Sequence, residues 1–160
     1  PFVSPALLLL VYTGARASEI ATLRWRYVQI PRLALPDSKT GPKTIYLNPQ
    51  AIEVLNNLDR RADDQLVFPA LHREVPINLG EHWIRVRRKA ALPDVRLHDL
   101  RHSFASIAIA KGTPLATIGR LLGHALPETT ARYAHLADDI ISESADRICS
   151  SLAGALGVAA

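Results

Sequence analysis

The sequence predicts a mainly helical domain with one small antiparallel β-sheet, an α+β fold. Three observations predict it. Most of the chain reads as short helical segments with apolar residues on one side. Two brief apolar runs, Arg32 to Pro36 and Lys43 to Leu47, flank the turn-rich stretch from Asp37 to Pro42 and read as a hairpin. Glycine and proline punctuate the rest where helices should stop and start.

Taken in order, Leu7 to Val11 ends a first helix, which Thr13-Gly14 breaks. Ser18 is placed to cap a second, with Ile20, Leu23 and Trp25 as its apolar residues. After the hairpin, Pro49 starts a helix through Leu58, and Leu66-Val67-Phe68 is a short extended piece. Helices follow over about 77–90, 98–110 and 114–122. Thr113 as cap and Pro114 at the first helical position open the last of these, and Gly123 closes it in a left-handed turn. Pro127 opens a helix carrying Tyr133, and a final one is expected from about Ala137 to Leu152, ahead of a Gly- and Ala-rich end. Trp25, Phe68, Trp83 and Phe104 read as core, and Leu115, Ile118, Leu121 and Leu122 as the apolar stripe of one helix.

At 160 residues the chain is one domain with room for a core. Its apolar share of 48% and charged share of 21% are those of a soluble globular protein. No apolar run reaches the roughly 18 residues of a membrane span. The apolar stretch Pro5 to Val11 is too short for a signal peptide and lacks a basic leader. Cys149 is the single cysteine, so no internal disulfide exists; a reducing cytoplasm is expected. The absence of methionine suggests a piece of a longer protein. Net charge is +4 and unevenly spread. Residues 1–44 carry six Lys/Arg against Glu19 and Asp37, whereas residues 136–160 carry four acids against Arg147. The basic front suits phosphates; the acidic end suits water or protein.

Breaking a phosphodiester without metal or cofactor requires a nucleophile, cations on the non-bridging oxygens, and an acid for the departing oxygen. His98 and His102, at i,i+4, share a helix face, but no acid or third histidine accompanies them at a recognised metal-binding spacing; His102 reads as structural. In Leu97-His98-Asp99-Leu100-Arg101-His102-Ser103, His98 and Arg101 also share a face. Leu121-Leu122-Gly123-His124 comes 23 residues after Arg101, and Tyr133, within Thr130-Ala131-Arg132-Tyr133-Ala134-His135, nine residues after His124. Upstream stands Thr13-Gly14-Ala15-Arg16-Ala17-Ser18-Glu19-Ile20.

This order of Arg, turn Lys, His-x-x-Arg, Gly-His and Tyr resembles the catalytic domain of the tyrosine recombinases, the phage-integrase family, from Thr13 to about Ala137. A lone His-x-x-Arg carries nothing; the motifs in register carry the resemblance. It implies that family's DNA breaking-rejoining fold and strand cleavage without cofactor, ATP or metal. Residue by residue, it implies that Arg16 and Arg101 clamp the scissile phosphate, as planar, permanently charged guanidiniums can. Tyr133 attacks to leave a 3′-phosphotyrosine; His98 takes its proton; Lys39, in the hairpin turn, protonates the 5′-oxygen; His124 donates a hydrogen bond to the phosphate. Glu19 orients Arg16. Lys39 is preferred to Lys43 because Lys43 starts the strand.

The resemblance further implies double-stranded DNA as partner, a homotetramer at the synapse, and a C-terminal helix (137–160) that docks on a neighbouring protomer. The N-terminal DNA-clamping domain of full recombinases has no counterpart in these residues, so weak DNA binding by residues 1–160 alone is expected. Arg85, Arg87, Arg88 and Lys89 are candidate DNA-backbone contacts, with a solvated helix face as the alternative. Arg101 could instead pair with Glu19 or Asp99. Arg26-Tyr27 stands where the family usually has an acid after the tryptophan matching Trp25. Three other readings stay open: relaxation of DNA as by type IB topoisomerases, an inactive DNA-binding integrase remnant, and a metal-dependent nuclease built on His98 and His102.

Overall fold

A computed structural model describes residues 1–37, 41–124, 127–131, 133–134, 143–146 and 148–151. Helix α1 (Val3–Thr13) stops at Gly14, whose φ of 62° is left-handed. A side chain there would have no room, because a Cβ would come within 2.7 Å of the Phe104 ring. Helix α2 (Ala17–Ala21) is capped differently from the expectation: Arg16 takes the N-cap position, and Ser18 lies inside the helix. Glu19, three residues into the helix, accepts from the Arg16 backbone N–H at 2.8 Å, so the helix start is satisfied by a carboxylate rather than by a serine hydroxyl. Trp25 falls outside this helix, in a single 3-10 turn (Trp25–Tyr27).

The expected hairpin is present as β2 (Arg32–Leu35) and β3 (Lys43–Tyr46), paired antiparallel with Leu33 opposite Ile45 and Leu35 opposite Lys43. A two-residue strand, β1 (Val28–Gln29), adds to the β2 edge. Alternation sends Leu33, Leu35, Lys43 and Ile45 inward, which buries a lysine in a row of apolar side chains. Helix α3 (Pro49–Asn56) has Asn48 as its cap. A second small hairpin, β4 (Pro69–Ala70) with β5 (Arg73–Pro76), follows the extended piece at Leu66 to Phe68.

Helix α4 (Leu79–Lys89) leads into α5 (Asp99–Ala110), which has His98 at its N-cap, and α6 (Leu115–Leu122), which ends at Gly123 in the left-handed region. At α6 the cap is Pro114 rather than Thr113. Helix α7 (Pro127–Ala131) ends before Tyr133, which follows in a turn closed by its N–H to the Thr130 carbonyl at 3.0 Å. Residues 143–146 and 148–151 are helical; the remainder of the expected final helix and the tail lie outside the described residues.

Two apolar clusters hold these parts. The larger joins α1, the inner face of the sheet and α3, through Leu9, Leu33, Ile45, Leu55 and Phe68. The smaller joins α5 and α6 through Ala105, Ile109, Ile118 and Leu122, and it includes Tyr133. Trp25 and Trp83 are buried as expected; Phe104 is only partly so and packs against the smaller cluster. Helix α1 packs against α3 and α5, and α5 against α6, so the ends of α1, α5 and α6 converge where the expected site residues lie. Among the described residues no helix is long and apolar enough to cross a membrane.

Candidate active site

Arg16 sits one residue beyond the buried Ala15, in the extended link between α1 and α2. Its NH1 donates to Glu19 Oε1 at 2.9 Å, and Lys43 Nζ donates to Glu19 Oε2 at 2.8 Å. One buried carboxylate thus ties the α2 start to β3. Burial pushes the Glu19 carboxyl up, but the Lys43 hydrogen bond, the Arg16 backbone N–H and the neighbouring charges outweigh it, and the net shift is downward. For Lys43 burial wins: its ammonium is held below the ordinary lysine range, because Glu19 offsets only part of the lost solvation and Arg101 and Arg16 repel. Gly123 lies directly over this lysine, where a Cβ would meet Lys43 Cε at 2.7 Å.

Arg101, 4% exposed, is anchored by two helix C-termini. NH1 donates to the Gly14 carbonyl at 2.6 Å and NH2 to the Leu122 carbonyl at 2.8 Å. These are end-of-helix carbonyls of α1 and α6, which lack an intrahelical donor and carry partial negative charge. A guanidinium has five N–H donors in a planar fork, so two such bonds fix its plane and leave the group able to bind an anion as well. Burial, and then the charge of Arg16, lower its pKa to about 10, which leaves it cationic at neutral pH. Asp99, the other candidate partner for Arg101, is taken by Arg96 at 2.9 Å.

His98 and His102 lie one turn apart on α5, edge to face with ring centroids 4.9 Å apart. Burial, then His102 and Arg101, lower the His98 pKa, which favours the neutral imidazole. His124 follows the Gly123 cap, with its N–H on the Gly119 carbonyl at 2.9 Å and Nδ1 2.8 Å from Thr130 Oγ1. Gly119 permits this approach of α6 to α7, since a Cβ there would meet Thr130 Oγ1 at 2.8 Å. The Tyr133 hydroxyl lies 2.5 Å from His102 Nδ1.

One cavity of about 120 Å³ is lined by Arg16, Arg101, His98, His124 and Tyr133, together with His102 and Thr129. That is well below the roughly 300–1,000 Å³ that encloses a drug-sized molecule, and suits a single phosphoryl group. Five of the six expected catalytic side chains therefore meet around one small space from four separate segments of chain. The sixth, Lys39, lies outside the described residues. Lys43 is directed to Glu19, with Nζ 2.8 Å from Oε2. Sequence reading sets His102 aside as structural, yet it lines the cavity beside Tyr133; its position four residues after His98 is the signal that both share a face. Among the described residues no group of three or more His, Cys, Asp or Glu side chains could hold a metal. Of the four basic residues on α4, Arg85 contacts His82, Arg87 donates to the Val95 carbonyl, and Arg88 and Lys89 are exposed; none lines the cavity.

Known proteins share this chain's sequence and fold. The chain is 30% identical over 130 residues to the putative prophage phiRv2 integrase of Mycobacterium tuberculosis, covering 74% of the chain and 35% of that protein. It is 32% identical over 139 residues to a tyrosine recombinase of Thermosipho africanus, covering 83% and 49%. The fold matches the crystal structure of the XerH site-specific recombinase bound to its difH substrate, with a TM-score of 0.69 at 22% identity over 88% of the chain and 45% of that protein. The chain thus spans between about a third and about a half of the curated relatives it matches. The Phage integrase family pattern matches residues 4–139, and with it the chain belongs to the phage integrase family of tyrosine recombinases.

Proposed function

We propose that this chain cuts and rejoins double-stranded DNA at specific sites through a covalent 3′-phosphotyrosyl bond to Tyr133. The observation that carries the proposal is that Tyr133 lines the same small cavity as Arg16 and Arg101. The two guanidiniums bind the non-bridging oxygens and grip harder as charge builds in the pentacoordinate transition state. Glu19 holds Arg16 in place for this. His124 donates to the phosphate, and one imidazole of α5, His98 by the family pattern, receives the phenol proton. Lys39, which lies between β2 and β3 in the sequence, protonates the departing 5′-oxygen. The phosphotyrosine retains the energy of the cleaved bond, so rejoining asks for neither ATP nor metal.

The working assembly is a tetramer on DNA, as for recombination at a synapse, with the C-terminal helix docked on a neighbouring protomer. On this reading Arg85, Arg87, Arg88 and Lys89 of α4 contact DNA phosphates, a reading supported by the exposure of Arg85, Arg88 and Lys89. Residues 1–160 alone bind DNA weakly on this reading.

A bridging 5′-phosphorothiolate tests the roles of nucleophile and acid together, because a thiolate leaves without a proton. On duplexes from the DNA flanking the gene, Lys39→Ala should form the protein–DNA adduct with sulfur substrates and lose it by about 10²–10⁴-fold with oxygen substrates. Equal loss on both substrates would remove Lys39 from the acid role. An adduct formed by Tyr133→Phe would overturn the proposed function.

A further inference from the structure

The sequence pattern assigns the α5 proton acceptor to His98, but the atoms single out its neighbour. His102 Nδ1 lies 2.5 Å from the Tyr133 hydroxyl, within reach of the proton that must leave, and the two rings stand 5.8 Å apart at 54°. The contact joins α5 to Tyr133, two residues beyond the end of α7 and 31 positions away in sequence, so no local turn imposes it. Tyr133 is 7% exposed and held by its own N–H to Thr130, which limits the positions its hydroxyl can take.

We propose that His102 is a catalytic residue, the general base that takes the phenol proton of Tyr133 during strand cleavage and returns it on rejoining. This rests on Tyr133 as nucleophile. As the bond from Tyr133 Oη to phosphorus forms, the bond from phosphorus to O5′ breaks; the phenol proton passes to His102 Nδ1, and an ammonium acid protonates O5′. In rejoining the 5′-hydroxyl attacks and the departing phenolate recovers its proton from His102. The role requires Nδ1 to be the unprotonated nitrogen, with the proton of the neutral ring on Nε2.

Several charged and titratable groups surround His102. On its own helix these are His98, Asp99 and Arg101; from the α2 start comes Arg16, from the α6 end His124, and from beyond α7 Tyr133 itself. Arg16 and Arg101 line the same cavity as His102. The doubly charged transition state placed between them then compensates the proton that His102 receives. His98 stands edge to face with His102, the ring centroids 4.9 Å apart.

The test separates a base from a mere hydrogen-bond partner. Asparagine places its amide oxygen at about the position of Nδ1 but takes no proton near neutrality. Cleavage of the 5′-phosphorothiolate duplex would be followed from pH 5 to 9, removing any contribution from the leaving-group acid. Parent protein should show a rate that falls with acidification as the base is protonated. His102→Asn should be slower by about 10²–10⁴-fold and lose that acidic limb. His102→Ala provides a second route: added imidazoles should restore cleavage in proportion to their basicity. An acidic limb that persists in His102→Asn, or cleavage as fast as the parent's, overturns the assignment while leaving Tyr133 as nucleophile. Adduct formation by Tyr133→Phe overturns both.

Discussion

Arg101→Lys should cleave DNA about 10²–10³-fold more slowly than the parent, the loss that follows removal of one transition-state donor. The charge survives this substitution; the fork does not. Arg101 spends two N–H groups on the carbonyls of Gly14 and Leu122 and so fixes the plane that meets the phosphate. A lysine ammonium has no planar fork and cannot span two helix ends while facing the cavity. The carbonyl anchors also predict a stability cost, because hydrogen bonds from a charged donor contribute about 1.5–3 kcal/mol each. Single-turnover cleavage and thermal unfolding of the same preparation check both. A rate within the parent's range would mean that Arg101 only braces the fold.

The second large effect is expected at Glu19, where the carboxylate holds Arg16 on one side and the buried Lys43 on the other. Glu19→Ala strands an ammonium whose side chain is only 5% exposed. Breaking a buried pair from one side costs about 3–5 kcal/mol, which lowers Tm on the order of 10 °C in a chain this long. Adding Lys43→Met should recover much of that loss, since no unpaired charge then remains. The pH dependence follows from the direction of the Glu19 shift. Its folded pKa is below the ordinary value of 4.5, so its stabilisation is complete above that value and is lost as pH falls through the folded one. Acid unfolding should therefore be steeper for the parent than for Glu19→Gln. Thermal melts from pH 7 down to 2.5 decide this; parallel curves would show that the carboxylate is not stabilised by folding.

The parts of the fold that were legible in the sequence are those with a local cause. Gly14 and Gly123 were readable as helix stops because only a left-handed residue ends a helix that way, and the chain turns there as expected. The β2–β3 hairpin was readable from two apolar runs around a turn. Strand β1 and the β4–β5 hairpin were not, since the two-residue strands β1 and β4 have no period, and Pro69 and Pro76 argue against a ladder. Ser18 was the better cap by residue type; Arg16 holds the position because Glu19 satisfies the helix start, which residue preference alone does not reveal. The burial of Lys43 likewise depends on a carboxylate 24 residues away. Five site residues could be named because their spacing follows a family pattern, whereas His102 has its meaning only through Tyr133, on another element.

The central claim is that Tyr133 becomes covalently joined to DNA, and peptide mapping of the trapped adduct tests it most directly. Trypsin should release Tyr133 at the head of the segment that ends at Arg147, a peptide in which it is the only tyrosine. After nuclease digestion of the adduct, the nucleotide mass should appear on that peptide, and fragmentation should place it on Tyr133. A nucleotide on any other peptide, or on a different residue of this one, would contradict the account.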